Sequence, residues 1–166
     1  NDFHGHIQQT DEYAGAARIA ALVNESRAQN PGVLVLNAGD SISGTPVSTL
    51  FNGLPIFEIL NKVGYNASAL GNHEFDHGYK QIEQFRHIAN YPLLSANALG
   101  PDGELIADDD SLVMQINGIR VGIIGLITDN TPNMIIPTGN ENLTFSAPEA
   151  TLRAHVEKLD PLVDVV

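Results

Sequence analysis

The sequence predicts an α/β fold in which at least some of the strands are parallel. Short, continuous apolar runs alternate along the chain with longer amphipathic stretches, and this alternation is typical of strands joined by helices. Runs without regular polar positions indicate strands buried on both faces, as in parallel sheets. The 166 residues contain no repeat, linker or low-complexity tract, and a chain of this length can bury a sizeable core.

The helices and strands follow from periodicity and from their end signals. The first predicted helix carries a stripe of apolar residues and ends at Asn30-Pro31-Gly32, and the second has Pro in its first turn and ends at Gly64. The predicted helices are residues 15–29, 55–63, 79–90 and 147–159. The predicted strands are residues 33–36, 67–70 and 92–96, a hairpin over 112–127 that turns at Asn117-Gly118, and the start of a strand at 162–166.

Composition limits the classes of partner. The net charge of −12 argues against nucleic acid and anionic membrane surfaces, and no apolar run is long enough to span a bilayer. A phosphorylated substrate stays compatible with this charge, because bound metal ions can reverse the local sign. Without cysteine, the chain has neither a thiolate ligand nor a thiol nucleophile.

Both ends of the sequence look cut. Asn1 opens directly onto a polar, His-rich stretch without an initiator Met, and the last residues read as a strand that has only begun. We therefore expect residues 1–166 to be a fragment that is truncated at both ends.

Two predicted strands end in the same kind of residue pattern. The apolar run 33–36 is followed by Gly39-Asp40, and the run 67–70 is followed by Gly71-Asn72-His73. In open α/β sheets, ligands collect beyond the carboxyl ends of the strands. Glycine at these points lets the backbone turn sharply and lets an ion come close. The pattern indicates a binding site at this edge of the sheet.

The candidate ligands favour a two-metal site. Asp2 and His4 are two residues apart, so in an extended segment they face one ion together. Asp40 could bridge two ions, and Asn72 offers a neutral carbonyl oxygen. Oxygen and nitrogen ligands without sulfur suit Zn, Mn or Fe in a reactive site, and paired ions stabilise the transition state of phosphoryl transfer. Each of the three motifs, Asp2-Phe3-His4, Gly39-Asp40 and Gly71-Asn72-His73, is weak alone. Their common position carries the prediction, since two follow predicted strands and the strand before Asp2 is expected to be removed by the truncation.

The order of these motifs resembles the calcineurin-like metallophosphoesterase superfamily. The segments that carry the resemblance are Asp2-Phe3-His4-Gly5-His6, Gly39-Asp40, Gly71-Asn72-His73-Glu74, Pro92-Leu93-Leu94-Ser95-Ala96-Asn97 and Gly125-Leu126-Ile127-Thr128. The amino-acid sequence at residues 1–6 and 71–76 is similar to that of the 5'-nucleotidase branch, which includes periplasmic UDP-sugar hydrolases and 2',3'-cyclic phosphodiesterases.

The resemblance implies a fold and a domain organisation. The fold would be a layered αββα sandwich of two mixed sheets flanked by helices, with only its first half present in residues 1–166. This part would be the N-terminal portion of the catalytic domain, without the nucleoside-binding C-terminal domain. The family completes its metal site with histidines from later motifs that this sequence lacks, so the C-terminal half of the same protein would be needed.

The resemblance also implies the metal ligands. Asp2 and His4 would hold the first of two divalent ions, with Zn or Mn expected, Asp40 would bridge both ions, and Asn72 would hold the second.

The implied catalytic residues are His73 and Asp76. His73 would not bind metal but would stabilise the phosphoryl oxygens or protonate the leaving group, and Asp76 would orient it. The substrate-binding residues stay unknown.

The implied activity is dimetal-dependent hydrolysis of phosphate esters, in the first place nucleotides, by a metal-bridging hydroxide. Hydrolysis of UDP-sugars or 2',3'-cyclic nucleotides, hydrolysis of a non-nucleotide ester, and a non-catalytic metal-binding surface module of the same fold are the alternatives. An extracytoplasmic location is expected, and the isolated fragment should bind metal weakly and catalyse poorly.

Other polar residues are first interpreted as structural. We expect Glu74 to cap the following turn or brace His73, and Ser43 and Thr45 to form turns rather than touch phosphate. Residues 108–110 should be a solvated turn, and His155 should lie on the solvent-facing side of its helix.

Overall fold

The computed structural model describes all residues, 1–166, and has the predicted α/β class. The helices are α1 (Gly15–Gln29), α2 (Pro46–Leu50), α3 (Leu54–Leu60), α4 (Gln81–Ile88) and α5 (Pro148–Leu159). The strands are β1 (Leu36–Asn37), β2 (Ala67–Ala69), β3 (Leu93–Leu94), β4 (Ala98–Leu99), β5 (Ser111–Ile116), β6 (Ile119–Ile124) and β7 (Thr144–Phe145). None of the helices has both the length and the apolar character needed to cross a membrane.

A three-stranded parallel sheet in the order β1-β2-β3 positions the candidate site. Leu36 pairs with Ala67, and Ser68 pairs with Leu93. Parallel neighbours need crossover connections, which α2 and α3 provide between β1 and β2, and α4 provides between β2 and β3. The carboxyl ends of β1 and β2 therefore lie side by side, which confirms the prediction of parallel strands.

The other strands form two antiparallel pairs, β4 with β7 and β5 with β6. The predicted hairpin is confirmed: β5 and β6 pair from Ser111 opposite Ile124 to Ile116 opposite Ile119. Its two turn residues, Asn117 at φ 49° and Gly118 at φ 85°, adopt the positive φ values that a two-residue hairpin turn requires.

The core lies between the parallel sheet and the helices that connect its strands. Phe57 of α3 and Phe85 of α4 are fully buried and stack with ring centroids 4.5 Å apart. Full burial of such a side chain contributes about 1.5–3 kcal/mol, so this contact holds α3 and α4 together beside the loops that follow β1 and β2.

The boundaries of some elements differ from the predictions. Strand β1 is shorter and begins later than predicted, because the amide of Val35 donates to the side-chain oxygen of Asn66 (2.9 Å) instead of to a strand backbone. Helix α2 was not predicted, although Pro46 occupies its first turn. At the end of the chain only Val165 makes a β-bridge, to Val121, and a short 3-10 turn precedes it.

One prediction about solvent exposure is confirmed and one is wrong. Asp108 and Asp109 are exposed directly before β5, as predicted, and Asp108 also accepts hydrogen bonds from Arg86 Nε and from the Leu93 amide, each at 2.8 Å. The side chain of His155 is only 16% exposed and lies 3.2 Å from the carboxylate of Asp110. The face of α5 that carries His155 therefore lies against the start of β5 and not toward solvent.

Candidate metal centre

Three loops meet at the carboxyl edge of the parallel sheet: residues 2–5, residues 39–45 after β1, and residues 71–76 after β2. The N-terminal loop is fixed along the second loop by backbone hydrogen bonds from Asp2 N to Gly39 O (3.1 Å) and from His4 N to Asp40 O (3.0 Å). All six predicted site residues lie on these three loops.

Three predicted ligands have left-handed backbones. The φ angles are 54° at Asp2, 47° at His4 and 53° at Asp40, and residues with a Cβ rarely adopt such values. The prediction that residues 2–4 are extended is therefore wrong, yet the turn still brings His4 Nε2 to within 3.8 Å of Asp2 Oδ1. Backbone strain of this kind costs about 1–3 kcal/mol per residue and gathers at functional sites.

Ligand atoms from all three loops converge. One ligand atom each from His4, Asp40 and His73 can be chosen so that all lie within 4.8 Å of one another, and the three residues are half-buried. The rings of His4 and His73 meet edge to face with centroids 4.8 Å apart. A carboxylate between imidazoles is a set of donors that fits Zn, Mn or Fe, so the residues present suit the divalent ions that the sequence predicts.

The other two predicted ligands lie at the margin of this cluster. The side chain of Asp2 is 57% exposed beside His4. Asn72 is half-buried directly before the 3-10 turn His73–Phe75, and its side chain does not cap that turn. His73, which was not predicted to bind metal, lies among the candidate ligand atoms. Its position alone therefore does not decide whether His73 is a metal ligand or a general acid.

His73 is tied to Asp76, the other predicted catalytic residue, and to the predicted ligand Asp40. Its Nδ1 lies 2.8 Å from Asp76 Oδ2, and its backbone amide donates to Asp40 Oδ1 at 3.1 Å. Because a carboxylate only accepts, Nδ1 carries the proton and Nε2 is free to face a ligand. Burial by itself lowers the pKa of His73, but the hydrogen bond and charge of Asp76, together with the charges of Asp40 and Glu74, raise it above its usual value.

Glu74 has a role that the sequence interpretation missed. Its side chain is buried, and its carboxylate accepts the backbone N–H groups of Asp40 (3.0 Å), Ser41 (2.8 Å) and Gly71 (2.7 Å). Burial raises the pKa of Glu74 and outweighs the three backbone donors, which lower it. Glu74 therefore neither caps the turn nor braces the ring of His73, and instead joins the loop after β1 to the loop after β2.

The same two loops touch through their glycines. A Cβ on Gly39, which has φ 96°, would lie 2.4 Å from the amide nitrogen of Gly71. A Cβ on Gly71 would lie 2.2 Å from Asp40 Oδ1. The sequence predicts that these glycines let an ion come close. In the structure they instead let the two loops approach each other, and this contact sets the position of the Asp40 carboxylate.

A buried polar contact supports the Asp40 loop from below. Asn37, the last residue of β1, donates from its side-chain amide to Ser41 Oγ (2.9 Å) and to Ser68 Oγ (3.0 Å). All three side chains are buried. This contact couples the register of β1 and β2 to the loop that carries Asp40.

Comparison with known proteins shows the family to which the chain belongs. The sequence profile of the family described as calcineurin-like phosphoesterase matches residues 1–151. A snake venom 5'-nucleotidase from Gloydius brevicauda is 34% identical over 98% of the chain, which covers 30% of that protein. Protein UshA from Yersinia enterocolitica is 35% identical over 96% of the chain, which again covers 30% of the relative.

The fold agrees as well. The structure of a 5'-nucleotidase precursor from Thermus thermophilus superposes with a TM-score of 0.84 at 30% identity, over 97% of this chain and 33% of the other. This likeness confirms the predicted metallophosphoesterase architecture. The chain spans about a third of the length of these relatives. On the match over residues 1–151 and the shared fold, the chain belongs to the calcineurin-like phosphoesterase family, whose members hydrolyse phosphate esters with the help of divalent metal ions.

Proposed function

We propose that residues 1–166 are the N-terminal portion of the catalytic domain of a 5'-nucleotidase, a metal-dependent enzyme that removes phosphate from nucleotides. The observation that carries the proposal is the convergence of His4, Asp40 and His73 within 4.8 Å at the edge of the sheet. The similarity to a snake venom 5'-nucleotidase and to the Thermus protein supports a nucleotide as the substrate.

The metal ligands we propose are those that the sequence pattern indicates. Asp2 and His4 would hold one ion, Asp40 would contact both ions, and Asn72 would hold the second. Two divalent ions, Zn or Mn, would supply Lewis acidity to the phosphoryl oxygens and activate the attacking water. The separation of 3.8 Å between Asp2 and His4 supports their sharing one ion.

His73 is proposed as the general acid. Asp76 holds the proton on Nδ1, so the opposite nitrogen, Nε2, points away from the carboxylate and can donate to the leaving group. As water attacks phosphorus, the ester P–O bond breaks and the leaving alcohol oxygen takes the proton from Nε2. The carboxylate of Asp76, 2.8 Å from Nδ1, stabilises the protonated ring that this step requires.

The remainder of the site is proposed to come from the C-terminal half of the same protein. Four ligands for two ions leave each ion incompletely coordinated, and the chain spans only about a third of the matched relatives. We therefore expect residues 1–166 alone to bind metal weakly and to catalyse poorly. An extracytoplasmic location is proposed because a similar enzyme is a venom component by name.

Substitutions in the full-length protein test the division of roles. Asp40→Ala should lower both metal content and turnover of AMP, because it removes the ligand shared by both ions. His73→Ala should lower turnover by about 10²–10⁴-fold, the usual contribution of a positioned acid, while the metal content stays close to that of the parent. Glu83→Gln, on the exposed surface of α4, is the matched control.

Metal content is measured by inductively coupled plasma mass spectrometry, and turnover by phosphate release. Equal loss of metal in Asp40→Ala and His73→Ala would show that His73 is a ligand and not the acid. Full metal content with no turnover in the parent would favour the non-catalytic surface module.

A further inference from the structure

A hydroxyl group on the loop after β1 reaches the proposed catalytic pair. Ser43 Oγ donates a hydrogen bond to Asp76 Oδ2, the same oxygen that lies 2.8 Å from His73 Nδ1. We propose that Ser43 is a positioning residue: it fixes the Asp76 carboxylate so that His73 keeps its proton on Nδ1 and presents Nε2 to the leaving group. This inference rests on the proposed function.

The backbone at Ser43 indicates that its side chain is needed. Its φ angle is 70°, a left-handed value that glycine adopts without cost and that other residues rarely adopt. The next residue, Gly44, has φ 79°, so the loop already contains a glycine where the same geometry recurs. Strain at a site is a reason to look for a function, and here the only group that glycine could not supply is the hydroxyl.

The position of the hydroxyl is fixed from outside the site. The amide of Ser43 donates to Ser48 Oγ at 2.8 Å, and Ser48 is fully buried in α2. Helix α2 thus holds the backbone of Ser43, and Ser43 in turn holds a carboxylate on the loop after β2. The expectation that Ser43 only forms a turn is therefore incomplete.

The contact restricts a carboxylate that would otherwise be held by one partner. The side chain of Asp76 is 29% exposed, and a half-exposed carboxylate with a single donor can rotate toward water. A second donor on the same oxygen limits that rotation and keeps Oδ2 in line with Nδ1 of His73. Groups that orient a catalytic imidazole fix its tautomer and its direction.

Ser43→Gly is the decisive variant because it removes the hydroxyl without harming the fold. Glycine relieves the strain of the left-handed backbone and keeps the amide N–H that donates a hydrogen bond to Ser48 Oγ. Asn117→Gly is the matched control, since it relieves a similar φ of 49° in the hairpin turn between β5 and β6. Relief of strain and the greater entropy of the unfolded chain oppose each other, so both variants should unfold close to the parent's temperature.

A comparison of two ester substrates distinguishes a loss of His73 positioning from a general loss of activity. In the full-length protein with its metals, Ser43→Gly should lower kcat on AMP about tenfold, which is part of the 10²–10⁴-fold that a positioned acid contributes. The loss on p-nitrophenyl phosphate should be less than about twofold, because its leaving group departs without needing a proton from an acid. Metal content should match that of Asn117→Gly.

A double variant and a spectroscopic measurement complete the test. Ser43→Gly should cost nothing further in an Asp76→Asn background, because the hydroxyl acts only through that carboxylate. At a pH high enough for the ring to be neutral, the ¹⁵N shifts of the His73 ring should report the Nδ1–H tautomer in the parent and a mixture of tautomers in Ser43→Gly. Equal losses on both esters, an additional loss in the double variant, or unchanged ring shifts would overturn the proposal.

The ring shifts also separate this proposal from the proposed function. If the parent hydrolyses neither ester, the proposed activity fails. The tautomer of His73 in Ser43→Gly still decides whether Ser43 positions the pair.

Discussion

Substitution of Glu74 should lower the free energy of unfolding by an amount that follows from the number of hydrogen bonds lost. The buried carboxylate accepts three backbone N–H groups: Asp40 and Gly71 donate to Oε2, and Ser41 donates to Oε1. A buried N–H that loses its acceptor costs about 1–3 kcal/mol. Glu74→Gln can keep one oxygen at the Oε2 position but places an NH₂ group against Ser41, so it should cost about 1–3 kcal/mol.

Glu74→Ala removes all three acceptors and should therefore cost about 3–9 kcal/mol, which is comparable with the whole stability of a typical domain, about 5–15 kcal/mol. The assay is urea denaturation followed by circular dichroism. Glu83→Gln makes the same chemical change on a side chain that is 73% exposed and should stay within about 0.5 kcal/mol of the parent. A Glu74→Gln variant as stable as this control, or equal effects of Gln and Ala, would refute the account of the two joined loops.

Three further substitutions test other parts of the structure. Gly39→Ala should destabilise the protein by more than about 1 kcal/mol and weaken metal binding, since its Cβ would lie 2.4 Å from Gly71 N at φ 96°; unchanged denaturation and metal titration curves would count against the close loop contact. Phe57→Ala should cost about 3–5 kcal/mol in urea denaturation, and a loss under 1 kcal/mol would mean that the core is packed differently. Burial raises the pKa of Asp110, but its hydrogen bonds with Ser111, His155 and Lys158 outweigh this and lower it. A carboxylate with a lowered folded pKa stabilises the protein above its unfolded pKa, about pH 3.9, and this stabilisation is lost as pH falls through the folded pKa. Asp110→Asn should therefore lower stability at pH 7, and its difference from the parent should shrink as pH falls below about 4 and vanish below the folded pKa; an equal difference at pH 7 and pH 3 would contradict this.

Much of the fold could be predicted from local signals. The stripe ended by Asn30-Pro31-Gly32 gave the bounds of α1, Gly15–Gln29, and Asn117-Gly118 gave the β5–β6 hairpin. Such elements are predictable because turn and cap residues act within a few positions. The exposure of His155 was not predictable, because it depends on which face of α5 meets β5, and that packing joins residues far apart in the sequence.

The candidate site was predictable at the level of residue type and strand end. Gly39-Asp40 and Gly71-Asn72 indicated the correct edge of the sheet, because parallel strands align their carboxyl ends. The contacts of Glu74 and Ser43 were not predictable. Each of these contacts joins two different loops, and the residue spacing within one loop does not indicate which other loop it contacts in the fold.

The central claim is that this chain carries the metal-binding loops of a nucleotide phosphohydrolase. The most direct measurement is hydrolysis of AMP by the full-length protein, followed as phosphate release, in the presence of Zn²⁺, Mn²⁺ or a chelator. Hydrolysis of UDP-glucose and of 2',3'-cyclic AMP is followed beside it by chromatography of the nucleotide products. We predict phosphate release from AMP that the chelator abolishes and that added metal restores. Hydrolysis that the chelator does not affect, or no hydrolysis of any of the three substrates with metal bound, would contradict the claim.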